Sequence, residues 1–315
     1  SKEGRPHAEE IALKKAGNNA KGSIMYVTLE PCNHNSRNGS CAEQIIRSGI
    51  KSIYIGSYDP DFRTRKKSIK KFKNSGINVY SALLEKKTHS LNKFFFHSKK
   101  HKRPFIKVKM AISSDEKIAH NNYKSKWISN SLSREFSHSL RSKSQAILTT
   151  SKTIIKDNPQ LNVRKNGKII KSITTIVIDS DLKIPLNSKI LKDLSKKRII
   201  IFTTKANNKY IFLEKLGCEI ILMKKQKNNE MNLITIFKKL YDLKIFDIFV
   251  EAGGILFTNL YKLKLVDELH LFESSKKIGK DGIPVIFNKK IKDLSFKELL
   301  IKKFGNDVYK HLEII

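Results

Sequence analysis

Cysteine is almost absent from this chain, with three residues in 315. That is too few for a disulfide framework and points to a reducing, cytoplasmic setting. No apolar run is long enough to span a bilayer, and no signal-peptide pattern opens the chain. Acidic residues are scarce as well: 29 Asp and Glu face 63 Lys and Arg, a formal net charge of +34. Such an excess admits a nucleic-acid binder. Yet lysine is spread over nearly every segment, and the clusters at 63–67 and 99–103 lack aromatic interleaving. A general lysine bias accounts for it better, so no specific nucleic-acid partner is expected and no membrane partner either. The charge would still draw phosphorylated small molecules.

The few cysteines are placed with purpose. His7 and Glu9 stand in Pro-His-Ala-Glu, Cys32 follows Pro31, and Cys41 comes nine residues later. One imidazole and two thiols form a zinc set, and His-x-Glu followed by Pro-Cys and a second Cys is the pattern of zinc nucleobase deaminases. Three protein ligands leave one zinc position for water, whose pKa the metal lowers. A carboxylate that does not touch the metal then moves the protons, the role assigned to Glu9. Ala8, Ile11, Ala12 and Ala16 recur at helical spacing, with Gly17 as C-cap. Cys41 opens a second helix, whose dipole would favour its thiolate. The remaining cysteine, Cys218, sits in an apolar run and is expected in a core.

Further along, helices and strands alternate. Helices around 7–16, 41–48 and 64–74 precede strands at 24–29, 52–57 and 77–80, which implies a mostly parallel sheet. One helix is expected over 85–103, ending in a basic linker before Pro104. A second alternating series then begins with strand 105–112, where Ile106, Val108 and Met110 share one face and Lys107 and Lys109 the other. A helix capped by Asn130 follows, with strands near 146–150, 173–179, 198–203, 218–223, 247–250, 268–273 and 308–314. Helices are read over 233–243 and from Gly254 towards 266. Two α/β domains result, 1–102 and 103–315.

The segment Glu30-Pro31-Cys32-Asn33-His34 and the long Cys32–Cys41 gap resemble the cytidine-deaminase-like superfamily. With the runs 107–113, Trp127-Ile128, 157–161 and 250–254, the whole chain resembles the bifunctional riboflavin-biosynthesis deaminase–reductases. The resemblance implies a deaminase domain with one zinc per chain on His7, Cys32 and Cys41. It also implies a dihydrofolate-reductase-like domain that uses NADPH and forms a homo-oligomer. The substrate would be a phosphorylated diaminopyrimidinone, deaminated first and then reduced from ribosyl to ribityl. Ala111, Trp127, Thr153, Asp157 and Ser180 match cofactor positions. The run Gly253, Gly254, Ile255, Leu256, Phe257, Thr258 and Asn259 matches the helix start under the cofactor phosphates, where free N–H groups attract anions. Ser125, Arg141, Leu161, Arg164 and Glu251 match substrate positions, the two arginines suiting a phosphate. Lys109, Asp157 and Glu251 are the polar groups expected nearest the reduced carbon.

The chain departs from that pattern in places. Glu116 stands where the family has a turn glycine, which is expected to strain the turn. Lys66 and Ser68 replace two more glycines, and Asp61-Phe62 replaces Asn-Pro. The chain opens on Ser almost at its first candidate ligand, so an N-terminal helix and hairpin are expected upstream. A competing reading is an RNA- or tRNA-editing zinc deaminase with a basic accessory domain; a third is a non-catalytic remnant. The second half lacks an RNA-binding signature, and the intact ligand set opposes the remnant. Any DNA or RNA binding should therefore be sequence-blind and steeply salt-dependent. Filter-binding titrations between low and physiological salt check this; sequence-selective binding that survives physiological salt would revive the editing reading.

Overall fold

The computed structural model describes residues 6–33, 39–120, 128–192, 194–226 and 231–315. The chain divides into two compact units, Ser1–Lys102 and Arg103–Ile315. In the first, α1 (Ala8–Ala16) precedes β1 (Ile24–Leu29), and α2 (Cys41–Arg47) precedes β2 (Ser52–Ser57). Then come α3 (Lys67–Asn74), β3 (Asn78–Ser81), α4 (Glu85–Leu91) and α5 (Lys93–His101). The three strands pair in parallel in the order β1-β2-β3. One face of this sheet packs a core of Met25, Ile53 and Ile55 against Ala42, Ile45, Ile69 and Phe72.

Two expectations need correction here. The predicted apolar stripe of α1 is not its inner face, since Ile11 is 55 % exposed. Ala16 of that stripe does pack on the core, together with Leu13 from outside it; the inner face is turned by about one residue, or 100°. The helix expected over 85–103 is two helices. Asn92, at φ −109° and ψ 25°, breaks it, and its side-chain amide donates to the Thr88 carbonyl at 3.2 Å. A short amide that competes with the helix backbone is the physical reason.

The second unit opens with β4 (Phe105–Ile112), β5 (Lys117–His120), α6 (Ser131–Ser142), β6 (Ala146–Thr150) and α7 (Ser151–Asp157). The hairpin β7 (Val163–Lys165) and β8 (Lys168–Lys171) leads to β9 (Thr174–Ile178), β10 (Ile199–Thr203), α8 (Asn208–Lys215) and β11 (Glu219–Leu222). Next are α9 (Leu233–Asp242), β12 (Asp247–Val250), α10 (Gly254–Lys262), β13 (Glu268–Glu273), β14 (Gly282–Pro284), β15 (Phe296–Phe304) and β16 (Asp307–Ile314). A nine-stranded sheet runs in the order β11-β10-β9-β6-β12-β4-β13-β16-β15. Its first seven strands are parallel; β16 and β15 close it antiparallel.

Ile106, Val108, Met110 and Ile112 of β4 all enter one core with Phe237 and Leu240 of α9 and Phe257 and Leu260 of α10. The other face of β4 is not simply polar and wet. Lys107 is buried and pairs with Asp247 of β12 at 2.7 Å. A buried ammonium is tolerable only with such a partner. Cys218 is buried in a second core beside Ile199 and Ile201, as its apolar run implied. β15 escaped the sequence reading because seven of its nine residues are exposed; the turn residues Gly305 and Asn306 were its available signal.

At two of the positions where the family has glycine, the backbone is left-handed all the same. Lys66 has φ +60° and Glu116 φ +58°. Lys66 is held by its N–H, which donates to buried Glu30 at 3.0 Å. Glu30 also accepts from Ser68 Oγ at 2.6 Å and from the Asp59 N–H at 3.3 Å. Glu116 is held from both sides: its N–H donates to Ser113 O at 3.0 Å, its carbonyl accepts from Val285 at 3.1 Å, and its Oε2 accepts from the Ile291 N–H at 3.1 Å. Glu116 thus takes the positive φ after all, with tertiary hydrogen bonds offsetting the steric cost. Lys66→Gly should accordingly stabilise the first unit by about 1 kcal/mol, whereas Glu116→Gly, which also loses the bond to Ile291, should gain less. Urea unfolding of the two variants checks this; a destabilised Lys66→Gly would refute the strain account.

Candidate active sites

His7 directly precedes α1 in extended backbone. Its N–H donates to Glu10 Oε2 at 3.3 Å, and Glu10 Oε1 accepts from Gln44 of α2 at 3.2 Å. One carboxylate thus fixes the start of α1 against α2. Cys32 follows the end of β1, and its carbonyl accepts from the Ala42 N–H at 3.1 Å. Cys41 is the first residue of α2, behind a Ser40 N-cap whose Oγ accepts from Glu43 at 3.2 Å. The ends of a helix, a strand and a second helix meet at one point. His7 Nδ1 lies 3.2 Å from Cys41 Sγ, and the Cys41 N–H points at Cys32 Sγ across 3.4 Å. The three donor atoms all lie within 4.8 Å of one another. Both thiols are buried.

One nitrogen and two sulfurs at this spacing are a zinc donor set with room for a fourth ligand. Glu9 is half-buried on the first turn of α1 and lies outside the donor set. Burial pushes its carboxyl above the ordinary value, against a backbone hydrogen bond and His7, which lower it. A carboxyl raised in this way can hold a proton as well as take one.

In the second unit the polar groups gather at the carboxyl ends of the parallel strands. β12 returns to the gap between β6 and β4, and β13 then lies beyond β4; such reversals of strand order open crevices for ligands. Glu251 follows β12, Lys109 follows Val108, the β4 partner of Val250, and Arg141 comes from the last turn of α6. Arg141 grips Glu251 with two parallel bonds of 2.8 Å, from Nε and from the second terminal nitrogen. Its remaining nitrogen donates to the Asn162 carbonyl. Burial raises the Glu251 pKa, but Arg141, Lys109 and His138 outweigh it and leave the carboxyl below its ordinary value. Burial lowers the pKa of Lys109, with Glu251 opposing. His138 falls to about 4 through burial and the Arg141 charge, so it is neutral at pH 7. Its Nδ1 accepts from the Arg164 N–H at 3.2 Å.

The remaining sequence-predicted residues fall in several places. Arg164 is half-buried and bonds Asn162 Oδ1 at 3.0 Å and Gln160. Leu161 is buried with φ +50°. Ala111 lies two residues beyond Lys109 on β4. Asp157 ends α7 as an exposed residue; partial desolvation of its carboxyl raises the pKa and its neighbour Lys156 lowers it. Thr153 Oγ1 lies 3.2 Å from Thr150 Oγ1 in the cap of α7. Ser180 lines a cleft of about 320 Å³ between α7 and the end of β9, with Lys152, Lys156 and Lys183 around it. Ser125 and Trp127 lie outside the described residues.

The helix start at Gly253 and Gly254 serves packing first. A Cβ on Gly254 would come within 2.7 Å of the Pro284 and Val285 carbonyls. Leu256, Phe257 and Thr258 are buried, Thr258 Oγ1 donating to Gly254 O at 2.7 Å. Only Ile255 and Asn259 retain outward side chains, so a cofactor could meet the others through backbone alone. Sequence reasoning missed His138, the Asn162 carbonyl and the three lysines of the cleft. In a chain this rich in lysine, no local signal distinguishes those three.

Comparison with known proteins accounts for both units. Residues 1–57 match the cytidine and deoxycytidylate deaminase zinc-binding region. Residues 104–310 match the RibD C-terminal domain. The riboflavin biosynthesis protein RibD of Aquifex aeolicus is 37 % identical over 284 residues, 90 % of this chain and 78 % of that protein. That of Buchnera aphidicola is 33 % identical over 98 % of this chain and 86 % of its own. The solved Acinetobacter baumannii RibD superposes with a TM-score of 0.83 at 28 % identity, covering 99 % of this chain and 86 % of that one. A deaminase/reductase structure from Thermotoga maritima gives 0.79 at 30 % identity, with the same coverage. With the second unit matched to a reductase domain, an editing deaminase with a basic accessory domain is not favoured. The chain belongs to the RibD family of riboflavin biosynthesis, bifunctional enzymes that join a zinc-dependent deaminase to an NADPH-dependent reductase.

Proposed function

We propose that the first unit, 1–102, deaminates 2,5-diamino-6-ribosylamino-4(3H)-pyrimidinone 5′-phosphate, and that the second, 103–315, reduces the ribosyl chain of the product to ribityl. The observation that carries the first half is the convergence of His7, Cys32 and Cys41 beside Glu9. Those three residues would hold zinc, which supplies water of lowered pKa at neutral pH. Glu9 takes a proton from water as it adds to the amine-bearing ring carbon. It gives that proton to the ring nitrogen and then passes the added hydroxyl's proton to the departing amine, so water enters and ammonia leaves.

For the second half, NADPH supplies the hydride when bound. Lys109 Nζ is the group suited to move a proton at the sugar's reacting end, since burial lowers its pKa. Glu251 stays ionised opposite it and Arg141 fixes its orientation. Because Arg141 is committed to a carboxylate, Glu251, whereas the Arg164 guanidinium bonds only neutral side chains among the described residues, Asn162 and Gln160, the substrate phosphate falls to Arg164. The cleft at Ser180, ringed by Lys152, Lys156 and Lys183, suits cofactor phosphate. The low cysteine content, three residues in 315, supports a cytoplasmic setting. Edge strand β15, with Leu299, Leu300 and Ile301 exposed, supports a homo-oligomer through the second unit; light scattering reads that state.

Glu9→Gln should retain one zinc at this site while its deamination rate falls by about 10²–10⁴-fold, with reduction unchanged. Metal analysis beside the two assays checks it, and a deamination rate within a few-fold of the parent would remove Glu9 from the mechanism. Arg141→Met removes the main charge that lowers the Glu251 pKa. The Glu251 carboxyl should then protonate at higher pH, so the acid limb of the reductase pH–rate profile should move upward. An unmoved limb, with kcat merely scaled, would show that Arg141 does not act through Glu251.

A further inference from the structure

We infer that the second unit carries a divalent-cation site of its own, built by Glu268, His270 and His311 and suited to zinc. The site arises from strand pairing. His270 of β13 and His311 of β16 are direct partners in the antiparallel register. Glu268, two residues before His270, shares its face. The two imidazoles stack with centroids 4.6 Å apart. Glu268 Oε2 lies 3.5 Å from His270 Nε2 and 3.1 Å from His311 Nε2. A tetrahedral zinc with bonds of about 2.0–2.1 Å sets its ligand atoms roughly 3.3 Å apart, and the two observed separations bracket that value.

The donors are buried, with side-chain exposures of 7 % for Glu268, 4 % for His270 and 22 % for His311. Yet both Nε2 atoms lack a hydrogen-bond partner among the described residues. Both face the same Glu268 oxygen, so the three ligand atoms converge on one point. His270 Nδ1 lies 2.8 Å from Tyr309 Oη. With the proton on Nδ1 donated to that oxygen, Nε2 presents its lone pair, the usual outer support of a metal-bound histidine. Lys107 is in register with Glu268 on β4, and its charge is offset by Asp247 at 2.7 Å. Two nitrogens and one oxygen suit zinc better than calcium or magnesium, which prefer oxygen alone. The set shares no residue with His7, Cys32 and Cys41. An ion here would tie β13 to β16, the first antiparallel pair beyond the parallel body of the sheet.

The test is metal titration of the full chain after chelator stripping, followed with Zn²⁺ for stoichiometry and Co²⁺ for spectra. The parent should bind two ions. Cys32→Ser/Cys41→Ser should bind one, with Co²⁺ visible bands but no thiolate charge-transfer band. His270→Gln/His311→Gln should also bind one, keeping that band. On the Cys32→Ser/Cys41→Ser background, Zn²⁺ should raise the melting temperature, and adding the two histidine changes should abolish the rise. Should the double histidine variant not fold, Glu268→Gln on the same background replaces it, with Co²⁺ affinity expected to fall about 10–100-fold. A Cys32→Ser/Cys41→Ser chain that binds no ion overturns the inference. So does binding unaffected by the histidine or Glu268 changes, which would mark adventitious surface histidines.

Discussion

Parallel pairing around β4 is the constraint on which the second unit depends. β4 lies between β12 and β13, so the carboxyl ends of these strands open on the same edge of the sheet. Glu251 arrives there because β12 ends at Val250, Lys109 because it follows Val108, the β4 partner of Val250, and α6 brings Arg141 to Glu251. The face that carries Ile106, Val108 and Met110 is closed by α9 and α10. Period-two alternation then obliges Lys107 and Lys109 to the opposite face, where each charge must find a partner.

Pairing of buried charge shapes the chemistry that follows. Lys107 meets Asp247, and Arg141 meets Glu251 with both oxygens of the carboxylate engaged. Breaking a buried pair from one side costs several kcal/mol, of order 3–5, because the remaining charge is stranded. The Arg141–Glu251 fork therefore does more than add stability. It fixes one protonation state and one orientation of Glu251 beside Lys109. The same rule of satisfaction directs attention to His270 and His311, whose buried Nε2 atoms both face one oxygen of Glu268.

In the first unit a single carboxylate does comparable work without catalysing anything. Glu30, at the end of β1, holds Lys66, Ser68 and Asp59 together. This network lets a lysine occupy a left-handed turn position. Glycine is one solution to such a turn; a bonded N–H is another. The Asp115 carboxylate stabilises the neighbourhood of Glu116 in the same manner, accepting from the Ile278 and Gly279 N–H groups at 3.0 and 2.8 Å.

The sequence by itself determined the ligand set of the first unit and, β15 excepted, the strands of the two main sheets. His7, Cys32 and Cys41 are close in the chain, and each stands at an element end that local signals mark: the start of an apolar-periodic helix, a Pro-Cys after a strand, a Cys before another helix. Strands such as β4 and β9 were legible because β-branched runs and period-two alternation are local properties. Tertiary structure alone decided the rest. It turned α1 by one residue onto Leu13 and committed Arg141 to Glu251 across 110 positions of sequence. It also set His270 against His311, 41 residues apart. The physical reason is common to all three. Helix and strand signals extend over a few residues, whereas the partner that neutralises a buried charge or receives a side chain is chosen by sheet register and packing.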